Sequence, residues 1–158
     1  MSSSKANDDA QQAAAALRTY ARKAARSEKE AEAFLSRRGF AEDVVREAIA
    51  VLKQEGALDD KACVLLWADH WSRQGWAWEA IASKLEAKGF RAEALEHAYQ
   101  RLGSREQDEE RAQFLLQQQS SKDKSRQEAS RLARLLASHG HSQDVIERFL
   151  APTRPFSP

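Results

Sequence analysis

The residues of this 158-residue chain best suited to chemistry are four histidines, one cysteine and several charge runs, and their spacing argues against catalysis. His70 and His97 stand alone, while His139 and His141 flank a glycine at a predicted turn. No cysteine or carboxylate cluster stands at metal-ligand spacing beside them, so the His-Gly-His reads as a solvated turn and no metal is expected. Cys63, next to Val64, Leu65 and Leu66, reads as a small buried hydrophobe whose pKa nothing lowers. As the only cysteine, it has no partner for an internal disulfide. Phosphate-binding glycine loops, Gly-x-Ser-x-Gly and metalloprotease helix motifs are all missing. The expectation is a protein that is not an enzyme, with no catalytic residue and no cofactor.

Binding chemistry is better represented. Arg18, Arg22 and Arg26 recur every four residues, joined by Lys23, and no acid interrupts Ala10 to Ser27. On a helix these charges share one exposed face that would suit phosphates or an acidic protein, although spacing alone fits a plain solvated face equally well. The acidic run Glu106-Gln107-Asp108-Glu109-Glu110, flanked by Arg105 and Arg111, reads as a solvated helix face with local ion pairs. Trp67 and Trp71 lie four apart on a predicted helix, and Trp76 and Trp78 follow in the turn after Gly75. Most of these fit packing. Alternate positions in a turn rarely both face inward, so at least one tryptophan is expected to be partly exposed, as interface anchors are.

The elements that hold these residues are helical. Alanine, leucine, glutamate, glutamine, lysine and arginine dominate, with 6 glycines and 3 prolines, and almost no sheet is expected. Twenty-five basic against 24 acidic residues leave a net charge of +1, so no chain-wide field draws the protein to DNA or a membrane. The segment Met1 to Gln12 is polar, unlike a signal peptide, and no apolar run approaches the ~20 residues that span a bilayer. A soluble, cytoplasmic monomer is the expectation. Apolar residues recur at helical spacing, as in Val44, Val45, Ala48, Ile49 and Leu52. Ser27 with Glu30, Ser104 with Gln107 and Ser125 with Glu128 form three candidate capping boxes, and all six glycines follow apolar stretches as helix stops with access to positive φ. Gln117 to Asp123 has no apolar period and reads as a hinge or loop.

Aligning the glycines exposes a repeat. Leu35, Gly39, Phe40, Asp43, Val44 and Val45 match Leu85, Gly89, Phe90, Glu93, Ala94 and Leu95, and again Leu136, Gly140, His141, Asp144, Val145 and Ile146. The glycines stand 50 and 51 residues apart, a period typical of stacked helical repeats. The predicted fold is all-α, three tandem three-helix repeats over 10–56, 57–103 and 104–150 forming an elongated, curved array. A disordered tail is expected at 1–9 and a second tail at 151–158.

The middle unit resembles the RecX family of bacterial RecA regulators. Leu58-Asp59-Asp60, Cys63, Val64 and Trp67, then Arg73-x-Gly75-Trp76, then Ile81, Leu85, Lys88-Gly89-Phe90 follow that family's pattern without a gap. Ala16-Leu17, Tyr20-Ala21-Arg22 and Ser27 with Glu30 resemble its first unit, and Arg131, Arg134-Leu135-Leu136, Gly140, Ser142 and Asp144-Val145-Ile146 its last. The resemblance spans nearly everything between the tails. It departs from the family where Ala77-Trp78 replaces Gly-Pro, Ala80 an arginine, and Trp71 a commonly basic residue.

The resemblance implies tandem three-helix repeats and a non-enzymatic protein that binds RecA along its filament on single-stranded DNA. Such a protein limits filament growth, ATP hydrolysis, strand exchange and SOS coprotease activity. The residues implied to meet RecA or DNA are Arg18, Arg22, Lys23, Arg26, Arg37, Arg38, Arg73, Trp76, Lys84, Lys88 and Arg91. The departures leave a second reading open, a helical-repeat adaptor that has lost RecA and binds another protein through Trp71, Trp76 and Trp78. Exposure of those tryptophans would indicate a changed interface, and burial a compensating repacking.

Overall fold

The structure is a computed structural model that describes residues 2–119, 121–122 and 125–150. Among them the chain is all-helical: α1 (Ser2–Lys23), α2 (Glu28–Arg37), α3 (Glu42–Gln54), α4 (Asp60–Arg73), α5 (Trp78–Ala87), α6 (Ala92–Leu102), α7 (Arg105–Gln119), α8 (Arg126–Ser138) and α9 (Gln143–Leu150). No described residue is in a strand. The expected C-terminal tail, 151–158, lies outside the described residues.

Local signals set the ends of these helices. Ser27 accepts the Glu30 N–H at 3.1 Å while the Glu30 carboxylate accepts the Ser27 N–H at 3.3 Å, a full capping box that opens α2. Ser104 and Gln107 repeat it before α7. Ser125 supplies its half before α8, but the Glu128 carboxylate turns to Arg131 and the Ser121 N–H. After α2, α5 and α8 one turn recurs. The residue at the glycine and its two neighbours donate back into the last turn of the helix, with Phe40, Phe90 and His141 reaching Leu35, Leu85 and Leu136 at 3.3, 3.2 and 3.0 Å. Gly39, Gly89 and Gly140 close it at φ +86°, +92° and +83°, where an L side chain is strained.

The chain divides into two compact units, Met1–Trp67 with Leu85–His97 and Ala68–Lys84 with Ala98–Pro158. In the first, α1 and α2 pack on α3 around Ala13, Leu17, Ala31, Leu35, Val45, Ile49 and Leu52. The alanines let helix backbones approach closely, and each fully buried leucine contributes about 2 kcal/mol. In the second, α7, α8 and α9 enclose Ala112, Leu115, Leu136, Val145 and Ile146.

Each unit carries an aspartate cap and a second hydrogen bond to a turn carbonyl at a helix start. In the first, Asp60 Oδ1 accepts the Glu28 N–H at the head of α2 (2.9 Å), and Ser27 Oγ donates to the Lys88 carbonyl (2.7 Å). In the second, Asp108 Oδ1 accepts the Trp78 N–H at the head of α5 (2.8 Å), and the Ala77 N–H donates to the His139 carbonyl (2.9 Å). The two carboxylate bonds satisfy helix N–H groups that would otherwise lack partners, and the Ser27 hydroxyl satisfies the Lys88 carbonyl.

Several expectations need correction. Residues 2–9, expected as a tail, continue α1, because an alanine-rich helix once nucleated extends at one bond per residue even into polar sequence. The Gln117–Asp123 segment, expected as a loop, is helical through Gln119; Ser121 and Lys122 lie outside any helix as expected, and Ser120 and Asp123 lie outside the described residues. Gly103 has no positive φ. Its role is steric, since a Cβ there would collide with the Tyr99 ring.

Candidate partner interface

The basic stripe predicted on α1 is divided. The helix ends at Lys23, so Arg26 lies beyond it and folds back with its guanidinium 4.0 Å above the Tyr20 ring. Arg18 donates through Nε to Glu55 at 3.0 Å with a second bond from Nη2, and that pairing raises the Arg18 pKa and lowers that of Glu55. Arg22, four residues on, lines the same shallow face beside Glu55. Lys23 points elsewhere, with Tyr20 and Thr19, toward Phe34 and Arg38.

The remaining candidate cations fall into two kinds. Arg37, Arg38, Arg73 and Arg91 are exposed. Arg38 lies 4.9 Å over the Phe34 ring. Arg91 borders a cleft of about 440 Å³ that also holds Glu28, Asp59, Asp60 and Glu93, where the Lys53–Glu28 ion pair sits at 2.9 Å. Carboxylates therefore offset the cations of that cleft. Burial pushes the Asp60 carboxyl above its ordinary value, opposed by the Glu28 N–H it accepts. Lys84 and Lys88 are held against rings instead. Lys88 Nζ sits 3.7 Å from the Trp67 ring centre and 4.0 Å from Glu30, and Lys84 Nζ sits 4.2 Å from Trp76 and 5.7 Å from Trp71. These are internal cation–π contacts.

All four tryptophans are half-buried, between the two extremes considered from sequence. Trp67 Nε1 donates to the Ala25 carbonyl at 3.1 Å. Trp76 lies tilted by 32° against His139 at 4.3 Å, and Trp78 meets Tyr99 edge-on at 5.4 Å. Where the resembled pattern has proline, with no N–H, Trp78 adds a donor, and the Asp108 carboxylate accepts it.

Two polar residues behave differently from their sequence reading. Arg111 is 6% exposed rather than on a solvated face. Its Nη2 meets Asp108 at 2.6 Å and the Leu102 carbonyl at 2.7 Å, and Nη1 reaches Ser72 at 3.3 Å, while Nε has no partner among the described residues. His141, predicted in a solvated turn, is also 6% exposed, with Nε2 2.8 Å from the Gly75 carbonyl and Nδ1 unpartnered among the described residues. That places the ring proton on Nε2 in the neutral form. Burial lowers the His141 pKa, opposed by the Gly75 hydrogen bond. The signal was present in the repeat itself, because His141 aligns with Phe40 and Phe90 at a site the turn directs inward. Cys63 matches its reading as packing: burial, reinforced by Asp60 and Glu30, pushes the thiol up to about 12.

Among the described residues no cluster of three His, Cys, Asp or Glu side chains is arranged to hold a metal, and no helix is long and apolar enough to cross a membrane. No family model matches the chain, and no curated protein does. Its fold is that of RecX. A crystal structure of RecX from Lactobacillus salivarius superposes with TM-score 0.72 at 22% identity, over 90% of this chain and 94% of that one. A crystal structure of regulatory protein RecX gives TM-score 0.72 at 19% identity, over 90% of this chain and 72% of that one.

Proposed function

We propose that this chain is a RecX-like regulatory protein that binds a RecA filament on single-stranded DNA and restrains its ATPase, strand-exchange and SOS coprotease activities. It acts in the cytoplasm as a monomer, without catalysis or a cofactor. The likeness over 90% of this chain and 94% of a RecX chain is the observation that carries the reading. The three glycine turns and the helix-start hydrogen bonds of the two units support three tandem three-helix repeats over 10–56, 57–103 and 104–150. An elongated, curved array of that kind suits a helical filament because it can touch successive subunits. Within the proposed contact set, Arg22, Lys23, Arg37, Arg38, Arg73 and Arg91 are exposed. Arg18, Arg26, Trp76, Lys84 and Lys88 serve it while also holding internal contacts. The test is RecA ATPase on single-stranded DNA with added protein, together with co-sedimentation. Loss of ATP hydrolysis and joint pelleting support the reading; neither effect at micromolar protein rejects it.

One observation favours the second reading, an adaptor that no longer binds RecA. Arg18, Lys84 and Lys88 are committed to Glu55, to Trp76 and Trp71, and to Trp67 and Glu30. Affinity capture from a bacterial extract separates the two, since RecA as the main captured protein counts against the adaptor.

A further inference from the structure

On α1, Ala16, Thr19, Tyr20 and Lys23 fall at helical spacing on one stripe, and Phe34 of α2 and Arg38 just beyond it complete a cleft of about 170 Å³. Tyr20, Phe34 and Arg38 of its lining belong to a four-layer stack within one unit, which Arg26 completes outside the cleft. The Tyr20 and Phe34 rings lie parallel, 4.1 Å apart with 1° between their planes. The Arg26 guanidinium covers the outer face of Tyr20 at 4.0 Å, and Arg38 lies over Phe34 at 4.9 Å. A guanidinium stacked on a ring keeps its N–H donors in its own plane, so the ring positions the group without using its hydrogen bonds.

Arg18, Lys53 and Lys88 each have a carboxylate partner, whereas among the described residues neither Lys23 nor Arg38 forms an ion pair. Lys23 and Arg38 thus line an aromatic-walled cleft with no carboxylate among the described residues of its lining, and Arg38 is held there by the Phe34 ring, an arrangement that suits an anion. The volume lies below the roughly 300–1,000 Å³ of pockets that enclose small molecules and suits a single side chain. A nucleic-acid backbone requires a track of several phosphate contacts. Here the next cations along α1, Arg18 and Arg22, line a different face beside Glu55.

We propose that this cleft docks a carboxylate side chain from an acidic segment of a partner protein. The Arg38 fork engages both carboxylate oxygens, Lys23 adds a second charge, and the Tyr20 and Phe34 ring edges cover the aliphatic stem. The inference rests on the reading of these basic residues as a partner surface and does not require the partner to be a recombinase.

The test is fluorescence anisotropy of a fluorescein-labelled hexaglutamate peptide with the full chain at low salt. Salt-sensitive binding is expected, weakened about threefold to fivefold by Arg38→Ala or Lys23→Ala. Arg46→Ala, at an exposed arginine of α3 outside the cleft, leaves affinity unchanged. Arg38→Lys keeps the charge and loses the fork, so it also binds more weakly. Absence of binding, an equal loss in Arg46→Ala, full affinity in Arg38→Lys, or displacement of the peptide by a short oligothymidylate at lower concentration than by free hexaglutamate would each overturn the proposal. RecA ATPase inhibition without peptide binding removes this inference alone; peptide binding without inhibition removes the recombinase reading alone.

Discussion

Substitution of Gly89 by alanine is expected to cost far more than the same change at Gly39, although both glycines end a helix within one unit at nearly the same φ. At Gly39 a Cβ would meet nothing within 4 Å, so only the left-handed backbone matters, about 1–2 kcal/mol. A less flexible unfolded chain returns about 0.4–1 kcal/mol of that. At Gly89 the backbone cost is the same, but the new Cβ would stand 2.5 Å from the Cβ of Lys29 on α2. That atom is fixed to the helix backbone and cannot swing aside, so overpacking adds about 1–3 kcal/mol. Urea unfolding followed by circular dichroism measures both variants against the parent chain. Gly89→Ala should exceed Gly39→Ala by about 1–3 kcal/mol, and most of that excess should vanish in a Lys29→Gly background, where no Cβ opposes it. Equal costs at the two glycines, or an excess that survives Lys29→Gly, would refute the close approach of the α5–α6 turn to α2.

Other consequences follow from the buried polar groups. Asp108→Ala leaves Arg111 buried without its ion pair and the Trp78 N–H without its acceptor, and about 3–5 kcal/mol of stability should be lost in the same urea assay. Asp60→Ala removes only a cap on Glu28, worth about 1 kcal/mol, and a cost equal to that of Asp108→Ala would contradict the distinction. The His141 pKa is lowered by burial, with Arg111 and His139 adding to the shift and the Gly75 hydrogen bond and Asp108 opposing it, so the unfolded chain takes up this proton first as pH falls below about 6.5. Its contribution is complete above that pH and is lost as pH falls. The urea midpoint should drop between about pH 7.5 and 5.5, and His141→Phe should shrink the drop; an unchanged drop in the variant would exclude His141 as its source. With its thiol pushed up to about 12, Cys63 should resist a thiol-reactive dye at mildly alkaline pH until denaturant is added, and rapid labelling of the native protein would place it at the surface.

The helices and their ends were legible because their causes are local. Apolar spacing marks α3 through Val44, Val45, Ala48, Ile49 and Leu52, and a serine three residues before Glu or Gln marks the heads of α2 and α7. A glycine with φ near +90° after each of α2, α5 and α8 was readable for the same reason, since its conformation depends on the residue itself. The repeated Leu-x-x-x-Gly pattern also tied the chain to a fold that the superposition independently shows.

Function is less local, and the candidate surface demonstrates why. Sequence identified Arg18, Arg22, Lys23 and Arg26 as one basic stripe, but whether a cation is available depends on what the fold brings beside it. Glu55, 37 residues away, takes Arg18, and the Trp67 ring takes Lys88, while among the described residues Lys23 and Arg38 meet no carboxylate. His141 and Arg111 show the same dependence in the opposite direction, as residues polar enough to be read as solvated are enclosed by neighbours distant in sequence. Helix periodicity and turn chemistry arise from a residue and its near neighbours, and the sequence determined them. Burial, pairing and free charge arise from long-range packing, and only the tertiary structure decided them.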